Sequence, residues 1–485
     1  MAKRKKNGIL IGRLILGILI VCAMIFTVVW AIKTKGETSD TASPATVSQT
    51  EEKEPVKETP AVTDPHTGLP YPTDSETGLP YVEDPDTGEH IPVDPETGIP
   101  QRAYVVSRAT VASSGDILIH TPLLATAKQG DGSYDFNWIF PYAKAYYEKY
   151  DYMVMNLEVP LGGPEAGPYD GYPRFNAPDS LATALKDAGV DMLLTANNHS
   201  SDAGGQAMMR TTNAVRTAGM ETLGTRASAA EPLYTVKEIN GIPIGMACYT
   251  YGSIDASGKK SLNGNGWMST EISPMINVFD YGRIDDFYAE AEKLIADMKA
   301  AGAAITAIYV HWGNEYQYRQ PNNWQKQIGQ KLADLGFDLI IGGHPHVVQP
   351  VETLTGVNGN ETFCVYSMGN AVSNQRKSIM TAEAPQGHTE DGMIFTYTVE
   401  KLSDGTYKIS DVNILPTWVH MYTENGKRIY EIVPLDISVS DWTQFGMTDP
   451  TEAMASYNRT MGTVGEGLNA YRASHGLTEV PARVD

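Results

Sequence analysis

Short apolar runs alternate with amphipathic stretches from about residue 103 to about residue 392 of the chain. Runs rich in Val, Ile, Met and Tyr that end in Gly, Asp, Asn or His are typical of strands buried inside a sheet. Seven runs predict strands: Thr110–Ser114, Tyr152–Asn156, Met192–Ala196, Ile242–Tyr249, Ile305–Val310, Leu339–Ile341 and Phe363–Ser367.

Apolar residues at helical spacing occupy the segments between these strands. One helical face is shared by Trp324, Ile328, Leu332 and Leu335, and the segments 181–188 and 287–298 show the same pattern. Strands that alternate with helices form a parallel or mixed sheet with the helices outside. In such folds ligands bind at the carboxyl ends of the strands. The pattern therefore predicts an α/β domain whose site lies where the strands end.

The N-terminal residues predict a membrane anchor. A basic cluster, Lys3–Lys6, precedes the apolar stretch Gly8–Ile32. Its last 19 residues are uncharged and would span roughly 28 Å as a helix, close to the thickness of a bilayer core. This is longer than the apolar part of a cleaved signal peptide, so an uncleaved signal anchor is predicted. The basic cluster places residues 1–7 in the cytoplasm and the main domain outside the cell, in the cell envelope.

A spacer is predicted between the anchor and the folded domain, over residues 33–102. The segment is poor in apolar side chains, so we expect it to be disordered. A ten-residue unit begins at Asp64, Asp74, Asp84 and Asp94, and each copy contains a turn of the form Asp-x-x-Thr-Gly. A semi-rigid, self-repelling spacer is the favoured interpretation. Calcium binding by the acids is the alternative, although the spacing matches no recognised calcium loop.

Composition narrows the classes of partner. The first 35 residues carry seven Lys or Arg and no acid, so the formal charge of −21 for the chain leaves −28 for the remainder. A strongly acidic exterior argues against nucleic acid as a partner. Cys248 and Cys364 lie in apolar runs and are predicted to be inert thiols. Cys22 offers lipidation as a weaker alternative to the anchor, because Val21 is too large for the usual cleavage site.

Five short motifs at the ends of predicted strands carry the candidate chemistry. Acids, amides and imidazoles in this arrangement are the oxygen and nitrogen ligands that suit one or two ions of Mn, Zn or Fe. Paired ions can activate a water molecule and bind a phosphoryl oxygen. The motifs are Gly115-Asp116, Asn156-Leu157-Glu158, Asn197-Asn198-His199 with Asp202, His311-Trp312-Gly313 and Gly343-His344-Pro345-His346.

Two of these motifs support more specific predictions. His344 and His346 are separated by one residue, so in an extended chain they would point to the same side and bind one ion each. His199 is predicted to protonate a leaving group, and Asp202, three residues later, is predicted to orient it. Each motif also has a structural alternative, such as a turn, a helix cap or a hydrogen-bonded core histidine.

In their order along the chain, these motifs resemble the CapA family of poly-γ-glutamate capsule synthesis proteins, which have a calcineurin-like metallophosphoesterase fold. The resemblance covers about residues 108–400 and includes the segment Tyr366-Ser367-Met368-Gly369-Asn370. It implies a four-layer αββα sandwich of two mixed sheets over residues 103–415, followed by a C-terminal extension, 416–485. The last 40 residues are expected to form a helical or loosely attached tail.

The resemblance also implies a role for each motif residue. Asp116, Glu158 and His346 would hold one ion, and Asn198, His311 and His344 would join Glu158 in holding the second. The acid would be His199.

Two positions differ from ordinary metallophosphoesterases. Leu118 occupies the histidine position of the usual Asp-x-His motif, with His120 two residues too late, and the bridging acid is Glu158 in place of Asp. These differences predict that the first ion is weakly bound or missing. Arg174 lies in a segment similar to the family's Arg-containing segment and is predicted, with Asn197, to bind substrate. A guanidinium can pair with a carboxylate or phosphate through two hydrogen bonds.

Three functions remain open from the sequence. The first is a membrane-anchored protein acting with other capsule synthesis proteins in synthesis, export or attachment of anionic poly-γ-glutamate. The second is a metal-dependent phosphodiesterase or phosphatase acting on a phosphoester of the cell envelope. The third is a non-catalytic polymer-binding scaffold. Metal content and turnover of a model phosphodiester distinguish them, since fold alone does not establish activity.

Overall fold

The computed structural model describes residues 62–64, 68–385, 387–481 and 483. The predicted anchor, Gly8–Ile32, and the first part of the predicted spacer lie outside these residues. Across the described ranges, no helix combines the length and apolar character needed to cross a membrane.

The described chain folds into two mixed sheets with helices around them. The helices are α1 (Thr121–Ala127), α2 (Lys144–Tyr147), α3 (Ser180–Asp187), α4 (Gly205–Thr217), α5 (Ile284–Ala300), α6 (Asn323–Leu335) and α7 (Thr451–Ser474). The strands are β1 (Tyr81–Glu83), β2 (His90–Pro92), β3 (Val105–Ile117), β4 (Tyr152–Leu157), β5 (Met192–Leu194), β6 (Glu221–Leu223), β7 (Tyr234–Ile239), β8 (Ile242–Tyr251), β9 (Ser253–Ile254), β10 (Lys260–Ser261), β11 (Val278–Phe279), β12 (Ile305–His311), β13 (Leu339–Gly343), β14 (Val351–Thr355), β15 (Glu361–Val365), β16 (Asn370–Val372), β17 (Asp391–Leu402), β18 (Tyr407–Glu424) and β19 (Lys427–Pro434).

The first sheet has the strand order β11-β8-β12-β13-β15-β14, with β7 also paired to β8. Strands β8, β12, β13 and β15 are parallel, whereas β7 and β14 are antiparallel to their neighbours. The second sheet has the order β19-β18-β17-β3-β4-β5-β6, with β16 paired to β3. Here β3 to β6 are parallel and β17 to β19 are antiparallel. All seven predicted strands are present, and the prediction of an α/β fold with mixed sheets is confirmed.

The two sheets face each other across the main core. The Ser113 hydroxyl of the second sheet lies 3.0 Å from the Tyr309 hydroxyl of the first. Phe363 and Phe395, one from each sheet, stack at 5.7 Å between ring centroids. On β12, Tyr309 belongs to this core, while the alternate residues Ile308 and Val310 face a second core made with α5 and α6. Burial on both faces explains why β12 is a continuous apolar run.

The repeats are ordered where the structure describes them, so the prediction of disorder is wrong for residues 68–102. In the second repeat the Gly78 amide donates to the Asp74 carbonyl at 2.8 Å, and the Asp74 carboxylate accepts from the Thr77 amide at 2.8 Å. The third and fourth repeats form the same turn. Arg108 of β3 pairs with Asp86, which ties the repeats to the domain. Local hydrogen bonds shape these turns, and between them the apolar side chains of Ile91 and Val93 are buried.

The C-terminal residues are part of the domain. The predicted boundary after residue 415 falls inside β18, which pairs with both β17 and β19. On α7, Tyr457, Met461 and Leu468 are buried in the main core. The helical form expected of the last residues is confirmed, but the helix is not loosely attached, and the domain extends through it.

Candidate functional site

The predicted ligands meet where parallel strands of the two sheets end. Asp116 lies near the end of β3, and Glu158 follows β4 directly. His311 is the last residue of β12, and His344 follows β13. Carboxyl ends of parallel strands lie at one edge of a sheet, so the topology brings these four side chains together. All four are buried.

Two groups of buried side chains could each hold a metal ion. In the first, ligand atoms of Asp116, Glu158 and His346 lie within 4.8 Å of one another. The second group joins Glu158 to His311 and His344 within the same limit. Glu158 belongs to both groups, which is the arrangement expected of an acid that bridges two ions.

Amides hold the ligands in place. Asn156 Nδ2 donates to Asp116 Oδ1 at 2.7 Å and to Glu158 Oε2 at 3.2 Å. Asn198 Oδ1 lies 2.8 Å from His311 Nε2, which is itself 3.3 Å from Glu158 Oε1. The amide oxygen of Asn198 therefore lies beside the second group.

The residues present fit a divalent cation. Glu158 Oε1 and His344 Nδ1 are buried and have no hydrogen-bond partner within the described part of the chain. Buried polar atoms are normally paired, and an unpaired one calls for an explanation such as an ion. A cation between these groups would satisfy both atoms.

The backbone of the two histidines differs from the sequence-based expectation. His344 has φ of 96° and His346 has φ of 58°, both in the left-handed region, so the segment is not extended. Such conformations cost on the order of 1–3 kcal/mol each and concentrate at functional sites. The turn aims the two rings at different ligand groups, and the prediction that they share one side of an extended chain is wrong.

Electrostatics in the cluster reflect burial and close charges. Burial, with the nearby Asp116 carboxylate, holds the pKa of Glu158 well above its usual range. Burial lowers the pKa of His311 to about 4. His346 is also buried, yet Glu158 and Asp116 outweigh that effect and raise its pKa to about 9. Since metal ligation requires neutral imidazole and ionised carboxylate, metal binding is coupled to proton release.

His199 and Asp202 form a buried pair beside the ligands. His199 Nδ1 lies 2.7 Å from Asp202 Oδ2, which also accepts from the Phe175 amide at 3.1 Å. Asn263 Nδ2 is 3.5 Å from His199 Nδ1, and its Oδ1 accepts from Asn198 at 3.2 Å. The pair is thus fixed in orientation and connected to the second ligand group through Asn198. The remaining ring nitrogen, Nε2, is the one left to exchange a proton.

The family model for the bacterial capsule synthesis protein PGA_cap matches residues 110–375. The chain belongs to this family. The matched region contains every predicted ligand, together with His199 and Asp202. The candidate site of this family member therefore lies entirely within the residues that match the family model.

Two curated relatives share the resemblance. The PGA biosynthesis protein CapA of Bacillus subtilis is 28% identical over 284 residues, which are 57% of this chain and 65% of the relative, just under two thirds of its length. The capsule biosynthesis protein CapA of Bacillus anthracis is 24% identical over 361 residues, 73% of this chain and 72% of the relative.

Among solved structures, the calcineurin-like phosphoesterase YfkN of Bacillus subtilis matches with 16% identity and a TM-score of 0.35, covering 64% of this chain and 90% of that one. A hypothetical protein from Thermus thermophilus matches with 12% identity and a TM-score of 0.30, covering 67% of this chain and 97% of the other. TM-scores this low support no conclusion. The fold of this family member is assigned from its own strand topology.

The two predicted substrate-binding residues have different positions. Arg174 is exposed and lines a cavity of about 470 Å³ together with Phe175, Asp202 and Asn265. Asn197 is fully buried, and its Nδ2 donates to the Leu157 carbonyl at 2.8 Å. A side chain committed in this way braces the site and does not reach a substrate, so the role predicted for Asn197 does not fit its position.

His120 does not take the place of the histidine that is missing at position 118. Leu118 is buried in the main core. The His120 ring lies edge-on to Phe175 at 5.2 Å between centroids, and Phe175 in turn lies edge-on to His199 at 4.9 Å. Of the ligand groups found in the described residues, none includes His120.

Two residues of the site, Asn370 and Tyr251, had no role predicted from the sequence. Asn370 Oδ1 lies 3.0 Å from His346 Nδ1 and so helps to orient that ring. Tyr251 packs on His344 at 4.8 Å between ring centroids. Asn370 is the last residue of a motif that carries the family resemblance, and that motif could have pointed to it. Tyr251 ends an ordinary apolar strand and gave none.

Proposed function

We propose that this protein is a membrane-anchored, extracytoplasmic member of the capsule apparatus that acts on poly-γ-glutamate during its synthesis, export or attachment. The observation that carries the proposal is the pair of buried ligand groups sharing Glu158 inside the region that defines the family. The curated relatives carry names from capsule and PGA biosynthesis, which supports the choice of polymer.

A divalent cation fits the site and is part of the proposal. Asp116, Glu158 and His346 would hold one ion, and Glu158, Asn198, His311 and His344 would hold the other. Mn, Zn and Fe all suit this set of oxygen and nitrogen ligands. When bound, such an ion supplies Lewis-acid polarisation of a substrate oxygen and lowers the pKa of water.

Local positive charge would be needed to bring an anionic polymer to this acidic chain. The formal net charge is −21, which repels a polyanion at long range. Arg174 is an exposed cation in the cavity beside Asp202, where a carboxylate or phosphate could pair with it. We infer that this cavity receives the charged group of the substrate.

A second candidate function is metal-dependent phosphoester hydrolysis on a cell-envelope substrate. The His199–Asp202 pair at 2.7 Å favours it, because a leaving group needs a proton donor held beside the ligand groups. Asp202 fixes the orientation of the ring, and His199 Nε2 would deliver the proton. A polymer-binding scaffold without turnover would need no such pair.

His199→Ala in the full-length protein is expected to lower hydrolysis of a dialkyl phosphodiester, whose alkoxide leaving group needs a proton, by about 10²–10⁴-fold while leaving bound metal unchanged. Metal per chain and turnover are measured on the same samples. His344→Ala should lose both, because His344 belongs to a ligand group. His475→Ala, at a partly exposed histidine of the C-terminal region, serves as the control. Equal activity in wild type and His199→Ala would contradict the hydrolytic candidate.

The capsule function is tested in a Bacillus subtilis strain that lacks its own CapA. Expression of this chain is expected to restore surface poly-γ-glutamate, whereas His344→Ala at equal protein level should not. If both the wild-type chain and His344→Ala restore the polymer, the capsule function does not require the metal site. If the strain's own gene restores the polymer and neither version of this chain does, the proposal fails.

The anchor and orientation are part of the same proposal and are supported by the basic cluster and the apolar stretch at the N-terminus. Alkaline phosphatase fused to the C-terminus is expected to be active, because it folds only outside the cytoplasm. An inactive fusion of full length would show the opposite orientation.

A further inference from the structure

A third group of ligand atoms lies on the solvent side of the site. Ligand atoms of Glu315, His344 and His346 are within 4.8 Å of one another. His344 belongs also to the second buried group and His346 to the first, so this group touches both. The two histidines are buried, whereas Glu315 is exposed. Glu315 therefore stands between solvent and the buried ligands.

The position of Glu315 is fixed by its backbone neighbours. The Tyr316 amide donates to the Pro345 carbonyl at 2.8 Å, and the Trp312 amide donates to the Gly343 carbonyl at 3.2 Å. These bonds join the loop after β12 to the histidine turn on both sides of Glu315. The loop reverses through Gly313, whose φ of 90° suits glycine and whose amide donates to the Tyr281 hydroxyl at 3.0 Å.

The Glu315 side chain itself is uncommitted. Across the described residues its carboxylate forms no hydrogen bond or ion pair, although it lies beside His344, whose Nδ1 is buried without a partner. Asp116 and Glu158, by contrast, are both braced by Asn156. The backbone at Glu315 is fixed, while its carboxylate remains able to turn towards a cation. Both features suit a metal ligand.

We propose that Glu315 is an additional metal ligand, which binds from the solvent side and supplies the donor that is lost where Leu118 replaces histidine. The inference rests on the proposed metal site. Exchange of an imidazole for a carboxylate adds one negative charge to the ligand set and favours harder ions such as Mn²⁺ over Zn²⁺. Glu315 lies four residues after His311, so one loop would provide a ligand to each of two groups.

The test measures Mn²⁺ binding to the full-length, metal-depleted protein by calorimetry, together with the Mn²⁺ electron paramagnetic resonance spectrum. Glu315→Gln and Glu315→Ala are expected to weaken the affinity about 10-fold or more and to change the spectrum. Glu238→Gln removes the same charge from an exposed position on β7 and should leave both unchanged. Because Glu315 is exposed, the metal-free variants should unfold at the wild-type temperature.

Wild-type affinity and spectrum in both Glu315 variants would overturn the role of Glu315 while leaving the buried site intact. Failure of the wild type itself to bind Mn²⁺ would overturn the metal site as well. A similar loss in Glu238→Gln would show that overall charge, not ligation, sets the affinity, and would also overturn the proposal.

Discussion

Glu158→Gln is expected to remove tight metal binding from both buried ligand groups. Glu158 is the residue that the Asp116–His346 group and the His311–His344 group have in common. Its carboxylate lies 3.3 Å from His311 Nε2 and 3.8 Å from His346 Nε2. Glutamine keeps the shape of the side chain and removes the negative charge. We expect metal content to fall from one or two ions per chain to a small fraction of an ion.

The measurement is metal per chain after exposure to Mn²⁺ or Zn²⁺ and removal of free ion. Glu400→Gln is the matched control, because Glu400 is also a largely buried acid but pairs with Arg108 away from the site. Urea denaturation of the metal-free proteins shows whether a loss of metal comes from unfolding or from the loss of a ligand. There the variant should be at least as stable as wild type, since burial raises the pKa of Glu158 and disfavours its charged form. Full metal content in Glu158→Gln would contradict the shared-ligand arrangement.

The sequence was a good guide to ligands that lie at strand ends. Asp116, Glu158, His311 and His344 each follow an apolar run, and parallel strands bring such positions together without any knowledge of loop shape. Glu315 depends on how the loop after β12 reverses, through positive φ at Gly313 and Tyr316. No periodicity encodes that reversal, so Glu315 could not be placed beside the histidines from the sequence.

The order of the repeats and the docking of the last helix differ from the sequence-based expectation, each for its own physical reason. Composition predicts disorder when a segment has little to bury, but the Asp-Thr-Gly turns at Asp74, Asp84 and Asp94 are ordered by hydrogen bonds within ten residues. The last helix has sparse apolar positions interrupted by glycine, a pattern that predicts a tail. It docks through buried apolar side chains such as Met461 and through the ion pair of Arg459 with the buried Asp391, a partner distant in sequence that local pattern does not reveal.

Arg459→Ala is expected to destabilise the domain by about 3–5 kcal/mol at neutral pH. Arg459 on α7 donates to both oxygens of Asp391 at 2.7 Å, and the Asp391 side chain is only 4% exposed. Removal of the guanidinium leaves a buried carboxylate with Ser456 as its main remaining donor. Arg283→Ala, at an exposed pair with Asp286, should cost less than about 1 kcal/mol and is the matched control. Urea denaturation at pH 7 measures both.

The pH dependence of the same variant distinguishes a lost charge pair from lost packing. Burial already raises the pKa of Asp391 against the opposing effect of Arg459, so the pKa should rise further when Arg459 is absent. A carboxyl whose pKa is raised on folding favours the folded state most at low pH, and that stability is lost as the pH rises through the folded-state pKa. The gap between Arg459→Ala and wild type should therefore narrow as the pH falls from 7 towards 4. A gap that stays constant over this range would mean that α7 is held by apolar contacts alone.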